Sequence, residues 1–474
     1  MVGMDYRSLA KNVGIAFIAQ GVALVLSILQ SLLVPKMMST TQYGYWQLFL
    51  FYQSYVGLAH LGINDGVYLI KGGETRKTID KKSVNSQFAF GIFFQTVIAC
   101  LIVAVACLGG FGDDREFVIV STGIFLVVQN ASAFLMYLLQ AMNETRRSSY
   151  ATIVERLTFL IPLVALLVLR YDSFRPLVVS YIFSGLVQLA YCAWMCRDFI
   201  IAGVDPLPQA VRQSVASIRV GFKLVAANLA SQLILGVARF AIDAAWGIDT
   251  FGQLSFALSM ASFFLSFVSQ ASMVLFPFLR QAETGEAKRF FSNVRDVMLL
   301  FFPIIYVLYY PMVWLLALWL PKYADSFVYF AFIIPICVFD SKMNICCTTY
   351  FKVLRKEGLL LKINMVTCVI SGFFTVIGVS VFQSIFVVIS GAVVAIVGRS
   401  LWSEAYLSKE LSAPSSLAYS SGELLLTFIF TVTALMLPSL AALATYFIAY
   451  AVFLYVFRQR ACSLLRKMLR TLFR

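Results

Sequence analysis

The sequence predicts an all-α polytopic membrane protein: about 14 transmembrane helices, forming two six-helix lobes around a central cavity plus two extra C-terminal helices. Three observations carry that reading. Of the 474 residues 61% are hydrophobic and only 13% charged, with a mean hydropathy of +0.86; soluble domains carry about 25% charged residues, so a soluble fold is excluded. Mostly apolar stretches of roughly 18 or more residues recur from end to end, each able to cross about 30 Å of hydrocarbon. The basic residues between those stretches lie almost entirely on alternate connections, which sets the register of the spans.

In chain order the apolar stretches cover about 12–36, 44–70, 85–108, 117–141, 150–169, 177–196, 219–246, 251–279, 297–320, 327–351, 359–382, 385–407, 420–438 and 440–457. The first is too long for a signal-peptide core and no small-residue cleavage site follows it, so it reads as a retained span. With the N-terminus inside, Arg7, Lys11, Lys71, Arg76, Lys77, Lys81, Lys82, Arg146 and Arg147 fall at cytoplasmic ends. The later inner connections add four groups: Arg197, Arg212, Arg219 and Lys223; Arg280, Lys288, Arg289 and Arg295; Lys352, Arg355, Lys356 and Lys362; Arg399 and Lys409. The outer side keeps only Lys36, Arg115, Arg170, Arg175 and Lys322, while Arg156, Arg239 and Lys342 lie within spans. Lys and Arg gather on the cytoplasmic side of membrane proteins, so both termini are expected inside.

Outer loops at 109–116, 170–176 and 321–326 are short and leave no external domain. The long inner connector suggests a division into an N-terminal lobe at 1–196 (spans 1–6), a cytoplasmic linker at 197–218, a C-terminal lobe at 219–410 (spans 7–12), and two additional spans with a basic tail at 411–474. In that tail Leu464, Leu465, Met468, Leu469 and Leu472 recur at helical spacing among Arg458, Arg460, Arg466, Lys467, Arg470 and Arg474. Such a pattern suits the surface of the inner leaflet; a solvated basic tail is the plainer alternative. The net charge of +14 is accounted for by inner loops, so no nucleic-acid partner is expected. The 9 cysteines form no pair in an extramembranous loop and no CxxC with partner histidines. Neither a disulfide framework nor a metal site is expected, and no cofactor.

An internal repeat underlies the two lobes. The junction Thr41-Gln42-Tyr43-Gly44-Tyr45-Trp46-Gln47-Leu48 resembles Asp249-Thr250-Phe251-Gly252-Gln253-Leu254. Aligning Gly44 with Gly252 sets Gln20 against Asn228, so each half opens with a polar-striped helix, an aromatic–glycine turn and a long second helix. Transporters built from such repeats bind their cargo where the repeats meet.

The polar stripes mark candidate cavity faces. In the 219–246 segment Asn228, Gln232, Gly236, Arg239 and Asp243 follow at steps of three and four, on one helical face. A charge at bilayer depth costs about 2.5–3.5 kcal/mol on insertion scales, so this face turns to protein or water. Arg239 and Asp243 are either a buried ion pair locking two helices or an anion-binding Arg tuned by a carboxylate. In the first span Gln20, Ala23, Ser27 and Gln30 share a face; in the second, Gln53, Gly57, His60 and Asn64 do, followed by Asp65. The run Gly62-Ile63-Asn64-Asp65-Gly66 is expected to break the helix. Asp65 is a cap or an ion-coupling carboxylate, and His60 a packing residue or a proton relay. Ser255, Ser259, Ser262, Ser266 and Ser269 make a small stripe that means close packing or a hydroxyl-lined wall. Asp340, Lys342 and Asn344 follow Pro335; Asp340 either pairs with Lys342 or takes a proton or Na⁺. Asn364, Thr367, Ser371, Thr375 and Gly378 line one side of the eleventh span, and Glu155 and Arg156 begin the fifth near the inner surface.

Asn12 with the polar first span, Gln42-Tyr43-Gly44-Tyr45-Trp46, His60-Leu61-Gly62-Ile63-Asn64-Asp65-Gly66, Phe251-Gly252 with its serine-rich span, Pro277 and the basic loop at 352–358 together carry a resemblance. The chain resembles the MOP (multidrug/oligosaccharidyl-lipid/polysaccharide) exporter superfamily and, within it, the Wzx-type O-antigen and polysaccharide flippases. The resemblance implies no enzyme but a carrier in the bacterial inner membrane, moving an undecaprenyl-diphosphate-linked oligosaccharide to the periplasmic leaflet by alternating access. It also implies coupling to H⁺ or Na⁺, contact with membrane lipids, and a polysaccharide polymerase and chain-length regulator as partners in lipopolysaccharide or polysaccharide biosynthesis. On that reading the diphosphate meets Arg239, with Lys342 second, and sugar hydroxyls meet Gln20, Asn64, Asn228 and Gln232; Asp243, Asp340 and Asp65 are charge partners or coupling sites. A multidrug exporter of the same superfamily would want an acidic pocket. A membrane glycosyltransferase or polymerase would want large loops bearing acids or arginines.

Overall fold

The computed structural model describes residues 21–22, 25–281, 284–414 and 416–472. The described residues hold helices and no strand. The chain divides into two compact units, Met1–Leu229 and Ala230–Arg474.

In the first unit the apolar helix Val25–Met37 is followed by extended Ser39, whose side chain accepts from the Gln42 amide and starts helix α1, Thr40–Gln53. The Tyr43–Trp46 motif is therefore the first turn of a helix and not the turn itself, a correction to the expected junction. Gln42 Oε1 accepts from the Phe174 amide at 3.1 Å, and Trp46 and Phe49 are fully buried against Phe125, Phe159 and Tyr181. The aromatic run thus anchors α1 within its own unit.

The predicted break in the second span is present. A 3-10 turn, Val56–His60, gives way to left-handed Leu61 (φ 49°) and Gly62 (φ 93°) before α2, Ile63–Lys71. Gly62 supplies the positive φ and also permits close approach: a Cβ there would lie 2.6 Å from the backbone of Gly221, and a Cβ on Gly66 or Gly221 would overlap backbone atoms of Ser217 or Gly62. Gly221→Val is therefore expected to destabilise the protein by about 1–3 kcal/mol through overpacking, read as a lower unfolding midpoint in detergent.

Four long helices complete this unit: α3 (Lys81–Leu108, capped by Asp80), α4 (Asp113–Ala141), α5 (Thr145–Val168) and α6 (Arg175–Met195). α7, Leu207–Gln281, begins here and is interrupted at Gly247 (φ 81°, ψ 179°). On a straight helix Arg239 and Ser255 would be about 24 Å apart, yet their side chains hydrogen-bond at 3.0 Å. The chain therefore folds back at Gly247, and α7 is two antiparallel spans. That break precedes Gly252 by the same distance as Ser39 precedes Gly44, as the aligned repeat requires.

The second unit continues with α8 (Thr284–Phe301), α9 (Ile305–Trp319), α10 (Ala324–Lys342, prolonged by a π turn Met343–Thr348 and Thr349–Val353), α11 (Glu357–Ser380) and α12 (Ile385–Glu410). The packing repeats: α3 on α4, α5 on α6 and α4 on α6 are matched by α9 on α10, α11 on α12 and α10 on α12. Left-handed Asn143 and Arg355 end corresponding helices, closed by Glu144 N to Leu139 O and Lys356 N to Phe351 O, both at 2.8 Å. α13 (Leu417–Met436) and α14 (Ser439–Val456) pack on each other and on α9 and α10. In the tail helix α15 (Arg458–Leu472) Arg460 pairs with Asp296 at 2.5 Å and Leu464 is buried, so its first turns dock on protein.

Eleven helices among the described residues are long and apolar enough to cross a membrane, beside the shorter Val25–Met37. The difference from the fourteen expected stretches has three sources. The first stretch is described only in part, the second is broken at Gly62, and the seventh and eighth run on as α7.

Candidate functional site

Helix α12 carries a cation that pairs across the second unit. The Arg399 guanidinium, 5% exposed, bonds the Asp340 carboxylate of α10 and donates to Ser231 Oγ of α7 at 3.0 Å. Two expectations change. Asp340 does not partner Lys342, because Lys342 has acids of its own; and Arg399, assigned to an inner connection, lies about 16 Å before the end of α12. Apolar residues on both sides, Val393 and Leu407 among them, hold it in the span.

Arg239 is half-buried. Its Nη2 donates to Ser255 Oγ at 3.0 Å and the guanidinium lies 5.1 Å above the Phe251 ring. Phe251 and Ser255, from the aromatic–glycine motif and the serine stripe, thus orient a cation about 12 Å from the Gly247 bend. Ser259 and Ser266 donate to carbonyls of their own helix. Asn228 and Gln232 are exposed, and Asp243 is buried. Gln20 lies outside the described residues.

Lys342 is enclosed. Its Nζ lies 2.5 Å from Glu423 Oε2 and 2.9 Å from Glu404 Oε2, and none of the three side chains is more than 2% exposed. An ammonium held by two carboxylates and shut off from solvent has no charge to offer a diphosphate, so the expectation that Lys342 binds cargo is corrected. Asn364, Thr367, Ser371 and Thr375 are buried too, and Ser371 donates to the Ile234 carbonyl, so that stripe is a seam between α11 and α7.

In the first unit Asn64, 1% exposed, donates to the Asn130 carbonyl at 3.2 Å, while Asn130 donates to the Val56 carbonyl at 2.8 Å. Asn64 staples the broken helix to α4 through its amide nitrogen. His60 Nδ1 accepts from the Gly62 amide at 3.0 Å, which leaves the ring proton on Nε2, 3.8 Å from Asp65. Asp65 is buried in the first turn of α2, where a carboxylate favours the helix dipole.

Residues 9–283 match the family described as "Polysaccharide biosynthesis protein". The chain belongs to that family. No curated protein matches the sequence. Among solved structures, the lipid II flippase MurJ in an inward closed conformation superposes with a TM-score of 0.60 at 12% identity, covering 96% of this chain and 100% of that one. An inward-facing multidrug resistance MATE family transporter of the MOP superfamily gives 0.59 at 13%, covering 82% and 95%. A MATE transporter from Vibrio cholerae gives 0.54 at 12%, covering 86% and 97%. At such identities the likeness speaks for the fold, that of MOP-superfamily transporters.

On the side assigned to the cytoplasm, the polysaccharide biosynthesis family member ties three connections of its first unit through Arg76. Arg76 grips Glu144 with two bonds at 2.8 and 2.9 Å and reaches Asp198 at 2.5 Å, which also takes Lys81 at 2.8 Å. Burial opposes ionisation of Glu144, yet Arg76 and Arg147 hold it below its ordinary 4.5. Asp198 is likewise lowered, burial again opposing and Lys81 and Arg76 prevailing. Because both are depressed in the folded state, their contribution is complete above the ordinary carboxylate values and is lost as pH falls through the folded ones. Proteolysis within residues 72–80 is expected to rise below about pH 4. At neutral pH, Arg76→Ala should cost about 2 kcal/mol in a thermal melt.

Sequence reasoning missed Arg399 as an in-span cation, and Glu404 and Glu423 altogether. The signal was available for all three: Arg399 and Glu404 lie inside the apolar stretch 385–407 and Glu423 inside 420–438.

Proposed function

We propose that this protein is a flippase that carries an undecaprenyl-diphosphate-linked oligosaccharide, an O-antigen or polysaccharide repeat unit, from the cytoplasmic to the periplasmic leaflet of the bacterial inner membrane. The observation that carries the reading is a guanidinium at Arg239 on the polar face of its span, half-buried and oriented by Phe251 and Ser255, in a member of a polysaccharide biosynthesis family. A guanidinium fork matches phosphate oxygens with two bonds, and at bilayer depth that match replaces the water the anion leaves behind. Exposed Asn228 and Gln232 supply amides for sugar hydroxyls. The lipid tail stays in the bilayer, and the cycle is alternating access driven by an H⁺ or Na⁺ gradient, with both termini cytoplasmic.

Asp340, one acid that a carrier of cationic drugs could use, is already bonded to Arg399. The product feeds a polymerase and a chain-length regulator on the periplasmic face. Deleting the gene is expected to remove surface polysaccharide and to accumulate lipid-linked repeat units in the inner leaflet. Normal surface polysaccharide in the deletion strain would refute the reading.

A further inference from the structure

We propose that Glu423 holds an exchangeable proton, making Lys342, Glu404 and Glu423 a proton-binding site within the second unit. The charge balance points there. One ammonium faces two carboxylates, with none of the three more than 2% exposed. Fully ionised, the triad would keep one uncompensated negative charge away from water, which a low-dielectric interior opposes.

The two acids are not equivalent. Glu404 accepts two hydrogen bonds on Oε1, from Ser416 Oγ at 2.6 Å and Ser420 Oγ at 3.1 Å, and its Oε2 lies 2.9 Å from Lys342 Nζ as an ion pair. Glu423 receives one, Lys342 at 2.5 Å from Oε2, and its Oε1 is buried with no hydrogen-bond partner among the described residues. The two hydroxyl donors, in addition to the ammonium, favour the charged form of Glu404, so Glu423, which has the ammonium alone, is the acid on which a proton neutralises the site. The other ionisable groups facing the triad do not supply the missing charge. Arg399 of α12 holds an acid of its own, Asp340, while Arg295 of α8 shares Asp296 with Arg460 and bonds Ser408 Oγ and the Pro414 carbonyl rather than a triad carboxylate. Tyr306 of α9, Cys346 and Cys347 of α10 and Tyr446 of α14 also interact with it electrostatically, and these side chains are neutral near pH 7.

Loss of the proton leaves Lys342 shared between two anions; its return restores neutrality. Resting on the transport reading, this exchange gives cargo movement its dependence on a pH gradient. The test is infrared difference spectroscopy of the full-length protein in lipid bilayers across a pH titration. A protonated carboxylic acid band is expected to disappear as pH rises and to be absent in Glu423→Gln. Glu404→Gln removes the competing anion and is expected to move the loss of the band to lower pH. A band that stays constant with pH, survives Glu423→Gln, or emerges only when Na⁺ is withdrawn would overturn the assignment. In vesicles carrying lipid-linked oligosaccharide, Glu423→Gln is expected to cut the pH-gradient stimulation of transfer at least about tenfold; undiminished stimulation would count against the exchange. A wild type with the titrating band but no transfer at all would sink the flippase reading and leave the proton site standing.

Discussion

Lys342→Met should leave most of the protein unable to fold. The change strands Glu404 and Glu423 together with no cation between them, at positions no more than 2% exposed. Removing one partner of a buried ion pair costs about 3–5 kcal/mol, and whole-protein stability is about 5–15 kcal/mol. Glu404, held anionic by its donors, is the charge left stranded, while Glu423 with its proton loses its one donor, so the loss falls within that range. The readout is the yield of monodisperse protein after detergent extraction, with the unfolding midpoint of whatever survives. The triple variant Lys342→Met, Glu404→Gln, Glu423→Gln removes all three charges at similar volume and is expected to recover much of the yield. Should Lys342→Met alone melt like the wild type, the triad would not be an electrostatic unit.

Arg239→Ala should abolish most transport while leaving the fold in place. Arg239 is half-buried, bonds Ser255 and lies on the Phe251 face, and both of these partners are neutral. What is lost is the phosphate match, worth about 2–3 kcal/mol for charge-assisted bonds, or roughly 30- to 150-fold in rate. Arg239→Lys keeps the charge and loses the fork, so partial recovery is expected. Surface polysaccharide, measured in a deletion strain complemented with each variant at equal protein level, orders them as wild type, Lys, Ala. Wild-type polysaccharide from Arg239→Ala would move the site away from Arg239.

Much of the fold was legible. The broken second span could be read from Gly62 and Gly66, because glycine is what a left-handed residue and a backbone-to-backbone contact both demand. The repeat could be read from Gly44 and Gly252, and the matched packing in the two units agrees with it. The site was legible in kind only. Arg239 was singled out and the break after residue 246 was expected, but that the fold-back at Gly247 brings Ser255 and Phe251 onto Arg239 is a matter of tertiary geometry. Asn64 was placed on the right face of its helix, yet whether that face meets cargo or the Asn130 carbonyl depends on where α4 packs.

By itself the sequence determined that this is a multi-pass helical membrane protein with duplicated halves and polar faces inside its spans, because hydropathy and helical periodicity accumulate along a single segment. Only the tertiary structure decided which charges neutralise one another: Arg399 with Asp340, 59 positions apart, and Lys342 with Glu423, 81 apart. A helix's own residues specify which side it buries. A hydrogen-bonded ion pair needs its two groups in direct contact, so its partners are chosen by whichever helices fold against that side.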